Sequence, residues 1–169
     1  MTEQSQGASN APFIIRDARS TDLLTIVEFN RRLALETENK VLDPRVLERG
    51  VSRALAEPGR LRYWVAEVKQ PVQIVGQAAI TGEWSDWRDC WIWWFQSVYV
   101  AQPFRGKGIF RAIYQHVRDE AIADRSVKGL RLYVEDNNQP AQSVYQALGM
   151  RPAGYSVYEE TWLGHVRGD

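Results

Sequence analysis

The residues from Gln96 to Gly108, QSVYVAQPFRGKG, have the types and order of an anion site. An apolar strand pattern runs into Pro103-Phe104-Arg105-Gly106-Lys107-Gly108. A helical pattern then starts at once with Ile109-Phe110-Arg111-Ala112-Ile113. Glycines on either side of Lys107 let the backbone approach a ligand with no Cβ in the way. The first turn of the following helix offers amide N–H groups and the positive end of a dipole. A pyrophosphate suits that arrangement. Two other phosphate motifs are excluded. The mononucleotide loop needs Ser or Thr after its lysine, and Lys107 is followed by Gly108. The dinucleotide fingerprint needs a third glycine, and position 111 is arginine.

A second segment follows the first. Gly129 to Val134, GLRLYV, alternates as a half-buried strand does. The cluster Glu135-Asp136-Asn137-Asn138-Gln139-Pro140 combines turn residues with helix-start signals, and proline fits a first helical turn. Ala141, Val144, Tyr145 and Leu148 then fall at helical spacing, and Gly149 stops the helix.

Together the two segments resemble the GNAT superfamily of N-acetyltransferases. The family's pattern is a strand, a loop of type [R/Q]-x-x-G-x-[G/A], a helix, a strand, and then N-x-x-A-x-x-x-Y-x-x-x-G-[F/M/Y]. This chain has Asn138-x-x-Ala141, then Tyr145, then Gly149-Met150, and the match covers residues 96 to 150. One departure is visible. The family's Arg or Gln, three residues before the first loop glycine, is replaced by Pro103, with Gln102 and Arg105 nearby.

The resemblance implies an α/β fold: a central mixed, mostly antiparallel sheet, splayed between its fourth and fifth strands, with flanking helices. It implies acetyl-coenzyme A as acetyl donor. Val98, Tyr99 and Val100 would present main chain to the pantetheine arm, which docks like an added strand. Amides of Arg105, Gly106, Lys107, Gly108 and Ile109 would cup the pyrophosphate, with Phe110 in the same turn. Side chains of Arg105, Lys107 and Arg111 would add positive charge. Asn138 and Ala141 would contact the arm from the second motif. An amide near Val98 would polarise the thioester carbonyl.

Tyr145 is the expected acid for the departing thiolate. A phenol near pKa 10 and a thiol near 8.5 differ by only about 2 kcal/mol, and desolvation of the thiolate closes that gap. Glu83 is the expected base, directly or through water. Glu36 and Glu38, between the first two helices, are expected to bind a cationic acceptor, with Trp94 in an aromatic wall. The acceptor expected is a primary amine on a small cationic molecule, attacking directly in a ternary complex. A noncatalytic acyl-coenzyme A sensor and a protein N-terminal or lysine acetyltransferase are the alternatives.

The rest of the chain must position these groups. Its 169 residues, 44% hydrophobic and 25% charged, suit one globular domain over 12–169, after a polar tail at 1–11 expected to be disordered. Lys plus Arg equals Asp plus Glu at 21 each, which lacks the electrostatic footprint of a nucleic-acid binder. No apolar run reaches the length of a membrane span, and Met1 to Ala11 lacks the regions of a signal peptide. A single cysteine, Cys90, excludes an internal disulfide and suits the cytoplasm. His116 and His165 lack the spaced partners of a zinc site, so no metal is expected. Phe13 to Arg16 reads as a strand, and a helix follows Ser20-Thr21-Asp22 until the polar break at Glu36 to Lys40. A second helix starts at Asp43-Pro44. Strands are expected at Leu61 to Val68, Ile74 to Trp84, Trp91 to Val100 and Gly154 to Leu163. Five tryptophans crowd between Trp84 and Trp94, which suits core and a homodimer interface, or an acceptor wall.

Overall fold

The computed structural model describes residues 12–162. They fall into two compact units, the first ending at Tyr133 and the second beginning at Val134. The expected tail at 1–11 lies outside the described residues.

The first unit holds a five-stranded sheet in the order β1-β2-β3-β4-β5. Its strands are β1 (Phe13–Asp17), β2 (Arg62–Lys69), β3 (Val72–Ser85), β4 (Cys90–Val100) and β5 (Val127–Leu132). The first four pair antiparallel, and β5 runs parallel to β4. Three helices join them: α1 (Leu23–Glu38), α2 (Pro44–Ala56) and α3 (Ile109–Ala123).

Each helix follows from local chemistry. Asp43 caps α2, accepting from the amides of Arg45 and Val46 at 2.8 and 3.0 Å, and Pro44 takes the first turn. The stripe Ile109, Ile113, Val117 and Ala121 is the buried face of α3. Helix α1 does not stop at the polar break but continues through Glu36 to Glu38 and ends at left-handed Asn39. The cap is local, with the Asn39 and Lys40 amides both donating to the Ala34 carbonyl.

Period-two alternation sends β-strand side chains to two faces. Tyr63, Val65 and Ala79 pack with Ile26, Val51 and Ala54 of α1 and α2. Trp64 sits against Trp93 at 6.2 Å between ring centroids and donates to Glu120 of α3, while Phe95 stacks on Tyr114 of α3 at 5.7 Å. The tryptophans therefore divide. Trp64 is fully buried, whereas Trp84, Trp87 and Trp91 are exposed around the β3–β4 hairpin.

The second unit contains α4 (Gln139–Ala147). Asn138 caps it, its Oδ1 accepting from the Ala141 amide at 3.1 Å, and Gly149 follows the helix at φ +88°. The strand expected from Gly154 to Leu163 is not formed as far as Trp162, and Leu163 lies outside the described residues. A strand exists by its ladder, and residues 154–162 are exposed and pair with no described strand. Tyr155, Val157, Tyr158 and Trp162 are all exposed and bury little surface.

Candidate active site

Strand β4 carries the centre of the site. Its ladder with β5 runs from Trp91 opposite Val127 to Phe95 opposite Leu132 and then ends. The stretch from Gln96 to Val100 continues without a β5 partner, so the sheet splays between its fourth and fifth strands. An extended chain could dock there as an added strand.

A bulge marks the point of departure. Against β3, Gln96 pairs with Ala79 and Tyr99 with Gln77, so Ser97 and Val98 together stand opposite Ala78. Ser97 adopts φ +46°, a left-handed conformation unusual for a residue with a side chain. Two-against-one pairing of this kind bends a strand and increases its twist.

Beneath the bulge lies a buried polar chain. Gln77, with no exposed surface, donates from Nε2 to the Ser97 carbonyl at 3.1 Å and to Asn30 Oδ1 at 2.6 Å. Asn30 in turn donates to the Tyr63 hydroxyl at 3.1 Å. Gln77 Oε1 has no partner among the described residues. Leaving such an oxygen buried costs about 1–3 kcal/mol. Nothing in the sequence pattern marked this group.

The glycine loop follows β4 directly. Gly106 and Gly108 have φ of +74° and +78°, and a Cβ at either would meet nothing within 4 Å. Backbone conformation, not crowding, therefore calls for glycine at both. Gly108 caps α3, whose first internal bond runs from the Ala112 amide to the Gly108 carbonyl. The helix dipole's positive end faces the loop, as an anion requires. With Gly108, the glycine that caps α3, as the motif's glycine, the residue three before it is Arg105, which corrects the placing of Pro103 at the motif's Arg or Gln position. Phe110 then occupies the motif's last small-residue position, packed 6.4 Å from Phe95 and 6.3 Å from Tyr114. Pro103 belongs to a short 3-10 turn before the loop.

Arg105 is held back along β4. Its Nε donates to the Val100 carbonyl at 2.9 Å and its NH2 to Glu36 at 2.6 Å. Glu36 also accepts from the Tyr99 hydroxyl at 2.8 Å. Burial alone would raise the Glu36 pKa, but the bonds from Arg105 and Tyr99 outweigh it and set the carboxyl below its ordinary value. Burial, then the Glu36 contact, pushes the Tyr99 phenol up. Lys107 lies over the Phe104 ring at 5.3 Å, Arg111 is exposed at the start of α3, and Glu38 is exposed at the end of α1.

Glu83 sits on a different part of the sheet, with Trp94. It accepts from the Trp94 indole at 2.7 Å and from Arg131 at 2.9 Å, so both its oxygens are engaged. Arg131 lies 5.5 Å over the Trp94 ring, and Trp94 meets Tyr133 at 4.5 Å between centroids. The result is an aromatic platform with one carboxylate and one cation.

In the second unit, Tyr145 is half-buried on α4, and burial pushes its phenol pKa above the ordinary value. The phenol therefore keeps its proton at neutral pH and gives it up less readily than an exposed one. Asn138 commits its oxygen to the helix cap, and Ala141 supplies the amide that it caps.

A cleft of about 530 Å³ opens beside Phe104, between α1 and the start of β3. Its guanidiniums are already paired, Arg16 with Asp22 and Glu67, and Arg32 with Glu28. It holds none of the groups considered above for acetyl transfer. No cluster of three metal-ligating side chains occurs among the described residues, and no described helix is long and apolar enough to cross a membrane.

The splayed strand, the left-handed glycines and the helix N-terminus lie in an order that known proteins share. The sequence model of the Acetyltransferase (GNAT) family matches residues 26–150. The chain belongs to that family. It is an acyltransferase, and GNAT acetyltransferases use acetyl-coenzyme A. A solved structure described as a possible acetyltransferase from Clostridium difficile 630 is 40% identical. It superposes with a TM-score of 0.82 over 89% of this chain and 98% of its own. The thialysine N-epsilon-acetyltransferase of Bos taurus is 29% identical over 150 residues, covering 80% of this chain and 82% of its own. A predicted acetyltransferase from Clostridium acetobutylicum, solved with acetyl-CoA, shares the fold at 21% identity. Its TM-score is 0.70, over 90% of this chain and 99% of its own.

Proposed function

We propose that this member of the GNAT family transfers an acetyl group from acetyl-coenzyme A to a primary amine on a small cationic molecule. The amine attacks directly, with both substrates bound. The observation that carries the reading is the free edge of β4 from Gln96 to Val100, running straight into a loop of two left-handed glycines at a helix N-terminus. The residues present fit the donor. The edge has the length and exposure for the pantetheine arm, and the loop has the backbone and dipole for the diphosphate.

Acetyl-coenzyme A, when bound, supplies an acetyl group on a thioester. The chain's own residues do the rest. The Val98 amide stabilises the negative charge that grows on the carbonyl oxygen, and one such donor contributes about 3 kcal/mol. Tyr145 takes the acid role by its place in the motif and protonates the sulfur as the C–S bond breaks. Glu83 receives the proton that the amine loses as the C–N bond forms.

The acceptor class is supported by the platform at Trp94. Arg131 already shows that a cation rests there, over the indole and against Glu83. An acceptor ammonium suits the same carboxylate and ring, and must displace Arg131 to reach Glu83. Glu36 is engaged by Arg105 and Tyr99, so an acceptor cation would reach it once Arg105 turns to the diphosphate. The name of the thialysine relative points the same way, to an amine nitrogen on a small molecule. The exposed Trp84, Trp87 and Trp91 keep a homodimer within the reading.

Release of free thiol from acetyl-coenzyme A, followed across diamines, basic amino acids and amino sugars, tests the proposal. A stimulated rate with at least one small cationic amine is expected. Binding of coenzyme A by calorimetry with no turnover on any amine would reduce the chain to a noncatalytic binder. Acetylated protein targets found by mass spectrometry, with no small amine accepted, would move the activity to proteins.

A further inference from the structure

We infer that Gln77 is a positioning residue for acetyl transfer: it holds the Ser97 carbonyl inward and so aims the Val98 amide. This rests on the proposed role of that amide toward the thioester oxygen.

The geometry follows from the peptide bond. The only cis peptide among the described residues joins Gln70 to Pro71, so the Ser97–Val98 unit is trans. In a planar trans unit the C=O and the following N–H point in opposite directions. Gln77 Nε2 grips the Ser97 oxygen from beneath the sheet at 3.1 Å. The Val98 N–H is therefore turned away from Gln77. Its direction is set by a side chain that touches no substrate.

Three further observations make Gln77 more than a filler of space. It is wholly buried, yet its Oε1 is orphaned, so packing alone would favour an apolar side chain. Its amide is fixed from behind by Asn30 at 2.6 Å, and Asn30 by Tyr63 at 3.1 Å. The chain ends on the one residue of β4 that is forced into the left-handed region. Ser97 at φ +46° carries a side chain, and a conformation of this kind persists only when its surroundings impose it. Two contacts supply that constraint where the β3–β4 register shifts: the Tyr63 hydroxyl holds the Ser97 side chain, and the Gln77 bond holds the Ser97 carbonyl and so sets the peptide plane.

Gln77→Leu removes both donor bonds at nearly constant size, and Gln77→Glu replaces the donor with a carboxyl. In Gln77→Leu, crystal structures are expected to show Ser97 leaving the left-handed region. The kcat should fall by about tenfold or more, while coenzyme A affinity stays within about threefold. In Gln77→Glu, an ionised carboxylate faces two acceptor oxygens and repels both. Once protonated, it regains one O–H donor. The ratio of variant to parent kcat should therefore rise as pH falls from about 8.5 to about 6.5, because burial raises a carboxyl pKa. Taking the ratio cancels the titration of the acceptor amine.

A leucine variant that keeps Ser97 near φ +46° overturns the inference. So does one whose kcat stays within about threefold of the parent, or whose coenzyme A affinity falls in step with kcat. If Gln77→Leu does not fold, the glutamate ratio decides alone, and a ratio flat with pH overturns it. A parent that turns over no amine refutes the acetyl-transfer reading, and the Ser97 conformation in the variant then still decides whether Gln77 sets the bulge.

Discussion

Replacing Gly108 by alanine and replacing Gly50 by alanine are the same chemical change with opposite expected signs. Gly50 lies inside α2 with no positive φ, and a Cβ there meets nothing within 4 Å. Alanine in a helix interior is more stable than glycine by about 0.5–1 kcal/mol. Gly108 also has open space at the Cβ position, but its φ is +78°. An L-residue held left-handed costs about 1–2 kcal/mol. For a domain of this size, 1 kcal/mol moves Tm by about 2–4 °C. Gly50→Ala should then raise Tm by about 1–4 °C and Gly108→Ala should lower it by about 2–8 °C.

Ligand binding separates two ways of bearing the strain. If the alanine introduced in Gly108→Ala stays left-handed, the full loss appears in Tm and coenzyme A affinity barely changes. If the loop relaxes, part of the thermal loss is recovered and the amides beside the diphosphate lose their aim. Thermal unfolding by circular dichroism, with calorimetric titration of coenzyme A, reads both. In either case the sum of thermal loss and lost binding energy should come to about 1 kcal/mol or more. A Gly108→Ala protein with unchanged Tm and unchanged affinity would show that the left-handed turn has no part in stability or in the site.

Tyr145→Phe should lower kcat by about tenfold or more with little change in coenzyme A affinity, measured by steady-state kinetics and calorimetry. An unchanged kcat removes the phenol from the reaction. Glu36→Gln should tighten coenzyme A binding, because Arg105 no longer has to leave a carboxylate to reach the diphosphate. The two side chains are 35% and 43% exposed, so solvent reduces their coupling to about 0.5–1 kcal/mol, or about two- to fivefold in affinity. That gain should fade with added salt, and a loss of affinity would refute it. Glu28 is held by hydrogen bonds from Arg31 and then Arg32, which bring its pKa down to about 2. A lowered folded-state pKa stabilises above the ordinary value of 4.5 and is lost as pH falls toward about 2. Thermal unfolding of Glu28→Gln should therefore sit slightly below the parent at neutral pH, and the gap should close as the pH falls through that window.

The parts of the site that repeat along the chain were legible in the sequence. Gly106 and Gly108 declare a left-handed turn because few other residues adopt one. The α3 stripe declares its buried face by its spacing. The Asp43-Pro44 cap was readable for a similar local reason, whereas the splay of the sheet was implied by the family resemblance. What the sequence hid depends on partners distant along the chain. Helix α1 runs past its polar break to left-handed Asn39, and its last turn brings Glu36 to Tyr99 and Arg105, 63 and 69 residues away, a meeting the sequence does not announce. Glu83 read as the expected base, and nothing in the sequence signals that it is tied to Arg131, 48 residues on. The alternation of residues 96–100 gives no hint that Ser97 interrupts the strand.

That bulge links the legible and hidden parts. A regular β4 would place alternate amides in line with the ladder, and β5 could pair along its whole length. Bending at Ser97 ends the pairing just beyond Phe95 and frees the edge where a pantetheine arm would lie. The same bend turns one peptide plane out of the ladder, which is what a donor to a developing oxyanion needs. On the proposed reading, strand irregularity, cofactor groove and carbonyl donor would be one structural event. The buried Gln77–Asn30–Tyr63 chain is the feature that offsets its strain, because an unsupported left-handed serine would relax and close the groove.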